Sequence, residues 1–495
     1  MAVAQSDRAN TASIEFKTLF SFNKSNGSYS IAPLVQATNG DLYGTTFSGG
    51  ANTNAIVPNG GGTVFKITPN GALTTLYSFC AQTNCADGAN PERGLTQAVD
   101  GNLYGTTANA GANTSAPNSG GTIFKITPTG AFATLYSFCA QSGCADGEWP
   151  SAGLIQAANG DLYGTTNEGG THNGGTIFKV TPNGVLTTIY NFCSQPYCAD
   201  GGNPFGGLVQ ATNGYLYGTT SPGGGAYQKG TIFKISPSGN LTTLYSFCAQ
   251  SGCPDGYFPY ASLVQATDGD LYGTTFYGGN TNASAPSGGG TIFKITPSGA
   301  FTSLYSFCSQ SGCPDGQQPP AALIQASDSN FYGTTQYGAN VYPPGTVGAG
   351  TIFKISPAAT FGTLYNFCSQ IQNGLCEDGW APFGGLVQST LGIFYGTTSG
   401  AGSGLDGTIF ALSTGAPPFV ITRPTIGIVG EVVTIIGYGL KGATSVTFNG
   451  TSATILYDAP TVIYAKVPTG ATTGKVQVVT PSGTLTSNVA FEVLP

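Results

Sequence analysis

Short runs of alternating apolar and polar residues fill most of the chain, and the runs themselves recur in a fixed order. One full unit spans Gly153 to Phe192. It reads GLIQAANGDLYGTT, a Gly-rich stretch, GTIFKVTPNG and VLTTIYNF. Four β-rich segments are predicted in it: Leu154–Ala157, Leu162–Thr166, Thr176–Thr181 and Leu186–Phe192. Ile, Leu, Phe, Tyr and Thr dominate them, the residues that suit a pleated, half-buried surface. Asn159-Gly160 joins the first segment to the second, and Asn183-Gly184 the third to the fourth. Both dipeptides favour tight hairpins because Asn and Gly tolerate positive φ.

The string Tyr-Gly-Thr-Thr begins at Tyr43, Tyr104, Tyr163, Tyr217, Tyr272, Tyr332 and Tyr395, which makes seven units at intervals of 54 to 63 residues. Four antiparallel strands at this period predict propeller blades; a β-helix needs far shorter rungs. A lone unit of this size cannot bury both faces of its sheet. The expected class is therefore all-β, a seven-bladed β-propeller with four-stranded blades. A fourth-type segment, Phe16–Phe22, precedes any first-type segment. The last unit offers Leu386–Gln388, Phe394–Thr398 and Thr408–Leu412 but no fourth segment. The N-terminal strand is thus expected to close the last blade. The tyrosines of Tyr-Gly-Thr-Thr read as blade core.

The turns within each hairpin are short and nearly uniform. The middle loops (second to third segment) and the connecting loops (fourth segment to the next unit's first) are long and variable. They lie together on one face, where function is expected. The connecting loops hold all twelve cysteines as local pairs: Cys80 with Cys85, Cys139 with Cys144, Cys193 with Cys198, Cys248 with Cys253, Cys308 with Cys313 and Cys368 with Cys376. The single histidine, His172, argues against a Cys/His metal site. Six even pairs read as disulfides, which imply an oxidising compartment. Asp87, Asp146, Asp200, Asp255, Asp315 and Asp378 follow in Asp-Gly pairs. They can order their own turns or offer a ring of carboxylates to sugar hydroxyls or Ca²⁺. No other cofactor is expected.

The next positions differ between units. They include Trp149, Tyr257, Phe258 and Trp380, and the middle loops add Tyr227, Tyr277, Tyr337 and Tyr342. Aromatic residues there suit stacking on sugar rings; packing against neighbouring loops is the alternative. Carboxylates special to one unit are few on this face: Glu92, Glu148, Glu168 and Glu377. Glu148, Glu168 and His172 are the candidates if the protein is an enzyme.

The motifs LYGTT, GTIFKITP-x-G, LTTLYSF and DG-x-x-P resemble the GloVer tandem repeat of bacterial choice-of-anchor surface proteins, over residues 14–413. The resemblance implies a cell-surface setting and brings no activity that transfers to particular residues. Composition changes at Pro417. The stretches ATSVTFNGTSATI and VPTGATTGKVQVVTPSG resemble an IPT/TIG domain, an immunoglobulin-like β-sandwich, over 419–494. Such domains in bacterial secreted proteins act mostly as spacers or adhesive modules. The expected organisation is 1–13 as a disordered mature N-terminus or signal-peptide remnant, 14–415 as propeller and 416–495 as IPT/TIG domain.

Charge narrows the partners. A net charge of −7 gives no basic footprint for nucleic acid. No apolar run approaches the ~18 residues of a membrane helix. The expectation is an extracellular or bacterial cell-surface propeller that binds a glycan or cell-surface polymer through its loop face. The alternatives are a structural surface or matrix protein without a small ligand and a glycan-active hydrolase or lyase. Near-identical blades favour several equivalent weak sites.

Overall fold

The computed structural model describes residues 14–113, 120–221, 228–339 and 348–494. The expectations for residues 1–13, Tyr227 and Tyr342 fall outside them. Seven four-stranded antiparallel sheets form the blades. In the third, strands Ile155–Gln156, Leu162–Thr166, Thr176–Val180 and Leu186–Asn191 lie in chain order from the inside outwards. The last blade is completed by Glu15–Ser21, which pairs antiparallel with Thr408–Ser413 in the register Glu15↔Ser413 to Ser21↔Thr408. The two ends of the propeller chain therefore close the ring, as the order of segments predicts.

Apolar residues of one blade pack on the next. Tyr43, Val64 and Phe79 share a core with Leu103, Phe124 and Ile126. All seven tyrosines of the repeated string are at most 2 % exposed. Their hydroxyls reach the inner hairpin turns, as Tyr104 does in donating to Asp100 at 2.7 Å. Each innermost strand also carries a glutamine whose side-chain oxygen accepts a backbone N–H of the preceding blade. Gln97 takes Thr38 N, Gln156 takes Val99 N, and Gln36 takes Thr390 N across the closure. Because a buried amide needs a partner, this chain of bonds fixes the spacing of the blades.

The C-terminal strands, Ile421–Arg423 to Gly483–Leu494, form one eight-stranded sheet folded around Val433, Ile435, Val446, Phe448, Val476 and Phe491. It docks on the short-turn side of the propeller. Arg423 donates to the Gln97 side-chain oxygen at 2.8 Å and to Gln36 O at 2.9 Å. Burial pulls its guanidinium pKa down to about 10. Tyr438 donates to Gly40 O and Thr461 to Thr38 O. Arg423→Ala is expected to loosen this dock, since hydrogen bonds from a charged group contribute about 1.5–3 kcal/mol. Limited proteolysis should then cut faster within residues 414–420; an unchanged rate would assign the docking to the other contacts.

Candidate functional site

Six disulfides join the cysteines in the expected pairs. Cys80 bonds to Cys85, Cys139 to Cys144, and Cys193 to Cys198. Cys248 bonds to Cys253, Cys308 to Cys313, and Cys368 to Cys376. The first five close loops of the same length, five residues apart in sequence, whereas Cys368 and Cys376 lie eight apart. The longer loop holds its own small hairpin, Ile371–Gln372 with Leu375–Cys376. Eleven of the cysteines sit at positive φ, from Cys253 and Cys313 at 48° to Cys80 and Cys248 at 62°; Cys85 and Cys198 are both at 53°. Cys376, in the strand of that hairpin, is the exception. Non-glycine residues rarely adopt the left-handed conformation unless the surroundings impose it. Cys85 and Cys376 are buried, and Cys198 is half-buried.

Inside the loops, the aspartates gather donors. Asp87 accepts Tyr77 Oη at 2.8 Å, Ala81 N at 3.0 Å and Gln82 N at 3.1 Å. Asp146, Asp200, Asp255, Asp315 and Asp378 accept the corresponding tyrosine hydroxyls and a loop N–H. These carboxylates organise their own loops, and Asp87, Asp146, Asp200 and Asp378 have no exposed surface.

Among the described residues, six of the seven connecting loops then pair with the middle loop of the blade they enter. The bridges are Ser28↔Ser48, Ala89↔Asn109, Glu148↔Glu168, Tyr257↔Tyr277, Gln317↔Tyr337 and Trp380↔Gly400. The next residue of each connecting loop is left-handed: Tyr29, Asn90, Trp149, Asn203, Phe258, Gln318 and Ala381 have φ between 50° and 60°. Trp149 shows how this is enforced. Its N–H donates to Gly120 O of the preceding blade, and its carbonyl accepts Asn167 N of its own. The conformation costs roughly 1 kcal/mol for a bulky residue, and the scaffold holds it.

Among the sequence candidates, Trp149 and Phe258 therefore take the left-handed position, whereas Tyr257 and Trp380 take the bridge position before it. Trp149, Tyr257 and Phe258 are half-buried; Trp380 is 42 % exposed, with its indole over Gly400. A continuous belt of rings runs from the third blade to the fifth. Trp149 meets Phe205 at 6.3 Å between centroids, Phe205 meets Tyr260 at 5.3 Å, and Tyr260 meets Phe276 at 5.1 Å. Phe276 meets Tyr277 at 4.9 Å, and Tyr277 stacks on Tyr257 at 5.4 Å. Trp380 is not part of it. The sequence reading missed Phe205, Tyr260 and Phe383, although each follows an Asn-Pro, Phe-Pro or Ala-Pro step at one fixed place in the unit.

The belt walls a cleft of about 390 Å³, lined by Trp149, Asn167, Glu168, Asn203, Phe205 and Phe383 among others. Phe205 and Tyr260 also line a central channel of about 310 Å³. Arg93 enters that channel, donating through Nε to Ser151 O at 2.6 Å with its guanidinium 4.9 Å from the Phe205 ring centre. Burial pushes the Glu92 carboxyl up, while Arg93 and the Trp149 indole N–H pull it back. The indole N–H faces Glu92 without reaching hydrogen-bond geometry. Several other buried polar atoms in this sector have no partner among the described residues: Ser151 Oγ, Thr165 Oγ1, Asn167 Oδ1 and Ser221 Oγ. In neighbouring blades the counterparts of Thr165 do bond across the seam, as Thr106 does to Ala152 O and Thr219 to Ala261 O.

Glu148 and Glu168 are brought together by two backbone bonds of 2.9 and 3.0 Å. Burial pushes the Glu148 carboxyl up and the neighbouring Glu168 charge adds to this; Gly120 N–H opposes both. His172 sits on an exposed turn of the same middle loop. Among the described residues, one group of three carries metal-ligand chemistry, Cys139, Cys144 and Glu148, and its two sulfurs are bonded to each other.

The model of the Gloeobacter/Verrucomicrobia repeat matches residues 8–225, 59–285 and 222–423. The chain belongs to this repeat family. An IPT/TIG domain matches residues 421–493. No curated protein matches the chain. A fungal alcohol oxidase of the AA5 family, solved in complex with copper, is 12 % identical, with a TM-score of 0.51 over 95 % of this chain and 98 % of that one. A proposed 6-phosphogluconolactonase from Bacteroides uniformis is 13 % identical, with a TM-score of 0.41 over 67 % and 83 %. At such identity, the first likeness shows the fold alone. The repeat propeller with its IPT/TIG domain and six disulfides fits a secreted or surface binding protein. No helix among the described residues is long and apolar enough to cross a membrane.

Proposed function

We propose that this repeat propeller binds carbohydrate in the aromatic cleft of its loop face, centred on the third to fifth blades. The supporting observation is the coincidence of the ring belt with two buried polar atoms that have no partner among the described residues, Trp149 Nε1 and Asn167 Oδ1, in one cleft. A sugar offers an apolar ring face to the aromatics and hydroxyls to the polar atoms, and an orphaned buried acceptor regains its hydrogen bond on binding. Arrangement in one cleft replaces the several equivalent sites that the repeats favour, because the rings differ from blade to blade. The left-handed backbone at Trp149 presents its indole in advance, so little entropy is lost on binding.

A glycan array with wild-type protein is expected to show saturable binding. Trp149→Ala should weaken it about thirtyfold, the size of an aromatic hot spot, with the thermal midpoint unchanged. A fallen midpoint with intact affinity would make Trp149 a packing residue. Release of reducing ends, abolished in Glu148→Gln or Glu168→Gln, would replace binding by hydrolysis. Absence of binding to any glycan would leave a structural surface protein.

A further inference from the structure

Neither Glu148 nor Glu168 has a cationic partner among the described residues. The ion pairs there join Lys66 to Asp41, Lys179 to Asp161, Lys294 to Asp270 and Lys354 to Asp328, all at the inner hairpin turns. Arg93, in the channel, has its charge opposed by Glu92. The cleft lining thus carries Glu168, and its bridge partner Glu148 sets a second carboxylate beside it; burial first, and then the Glu168 charge, disfavour the ionised form of Glu148.

A second feature points to a ligand. Asn167 is 6 % exposed, lines the cleft beside Glu168, and its Oδ1 accepts no hydrogen bond from the described residues. A buried amide oxygen without a donor is costly. It asks for an N–H or O–H from whatever enters. The same cleft has the indole of Trp149, whose π-face attracts a cation as well as a sugar ring.

Resting on the carbohydrate reading above, we infer that the ligand is an amino sugar with a free ammonium group, held by Glu168 with the Glu148 charge beside it while its ring lies against Trp149. The ammonium relieves the repulsion between the two carboxylates. A hydroxyl or ammonium hydrogen satisfies Asn167 Oδ1. An N-acetylated sugar has no charge to offer and leaves the carboxylates unpaired, so it binds more weakly.

Calorimetric titration of the full chain with oligomers of glucosamine and of N-acetylglucosamine tests this. The glucosamine oligomer is expected to bind at least about tenfold more tightly, the worth of a charge-assisted contact. Glu168→Gln and Glu148→Gln should each remove most of that preference without moving the thermal midpoint, and Asn167→Ala should weaken both oligomers. Equal affinity for the two oligomers, a preference that survives both glutamine variants, or equal binding of spermine would overturn the inference. Trp149-dependent binding of neutral glycans alone would overturn it and leave the carbohydrate reading standing. No binding of any glycan would remove both.

Discussion

Deleting residues 1–22 is expected to unfold the propeller or lower its melting midpoint by more than about 10 °C. The removed strand contributes all its pairing with Thr408–Ser413 and three aromatic side chains. Phe16 stacks on Tyr365 with centroids 3.8 Å apart and lies 5.4 Å from Phe410. Phe22 is fully buried, in the seam formed by Leu34, Phe65, Tyr395 and Ile409. Burial of one such side chain is worth roughly 1.5–3 kcal/mol, and the loss also leaves cavities and an open strand edge. Since one kcal/mol moves a chain of this size by about 2–4 °C or less, the summed loss is large. The point variant Phe22→Ala, costing about 3–5 kcal/mol, separates the packing of the seam from the pairing of the strand. A truncated protein melting within about 2 °C of the full chain would show that the ring closes without its N-terminal strand.

This closure was legible because the segments come in a fixed order, and the chain starts with the one that its last unit lacks. The cysteine pairs and the buried tyrosines were legible for the same reason: each is decided within a single unit. The cleft was less so. Trp149 and Phe205 belong to different blades, and Tyr260 and Phe383 to two more, so their meeting is a product of ring geometry rather than of local pattern. Sequence also placed Trp380 in the same class as Trp149, yet the two stand one residue apart in the unit. That single step separates a bridge position from a left-handed one, and so it re-aims the side chain. The glutamines of the innermost strands recur in every unit within a Gln-Ala or Gln-Ser step, but their meaning, bonds to the preceding blade, needs the neighbour to be in place. Arg93 departs from the Ala or Gly that holds its place in other units, as Ala152, Gly206, Ala261, Ala321 and Gly384 do. That departure was the available signal for the channel.

The glycine of Tyr-Gly-Thr-Thr poses a different question, because its backbone does not need positive φ. At Gly164 a Cβ would lie 2.6 Å from Phe178 Cζ and 2.8 Å from Leu154 Cδ2. The same Phe-over-Gly contact recurs at Gly44, Gly105, Gly218, Gly273, Gly333 and Gly396, at 2.5–2.6 Å. The third strand's phenylalanine therefore lies directly across the second strand, opposite its glycine, as the register Gly164↔Phe178 requires. Phe178 is fully buried between the second and third blades, in contact with Phe138. Gly164→Ala is expected to cost about 1–3 kcal/mol through overpacking, and Phe178→Ala about 3–5 kcal/mol through the cavity. Gly164→Ala combined with Phe178→Leu should cost less than the sum of its parts by at least about 0.5 kcal/mol, because the shorter side chain vacates the space that the new methyl needs. Chemical denaturation of wild type, the two single variants and the double variant measures this coupling. Strict additivity would show that the glycine is kept for some reason other than the ring that covers it.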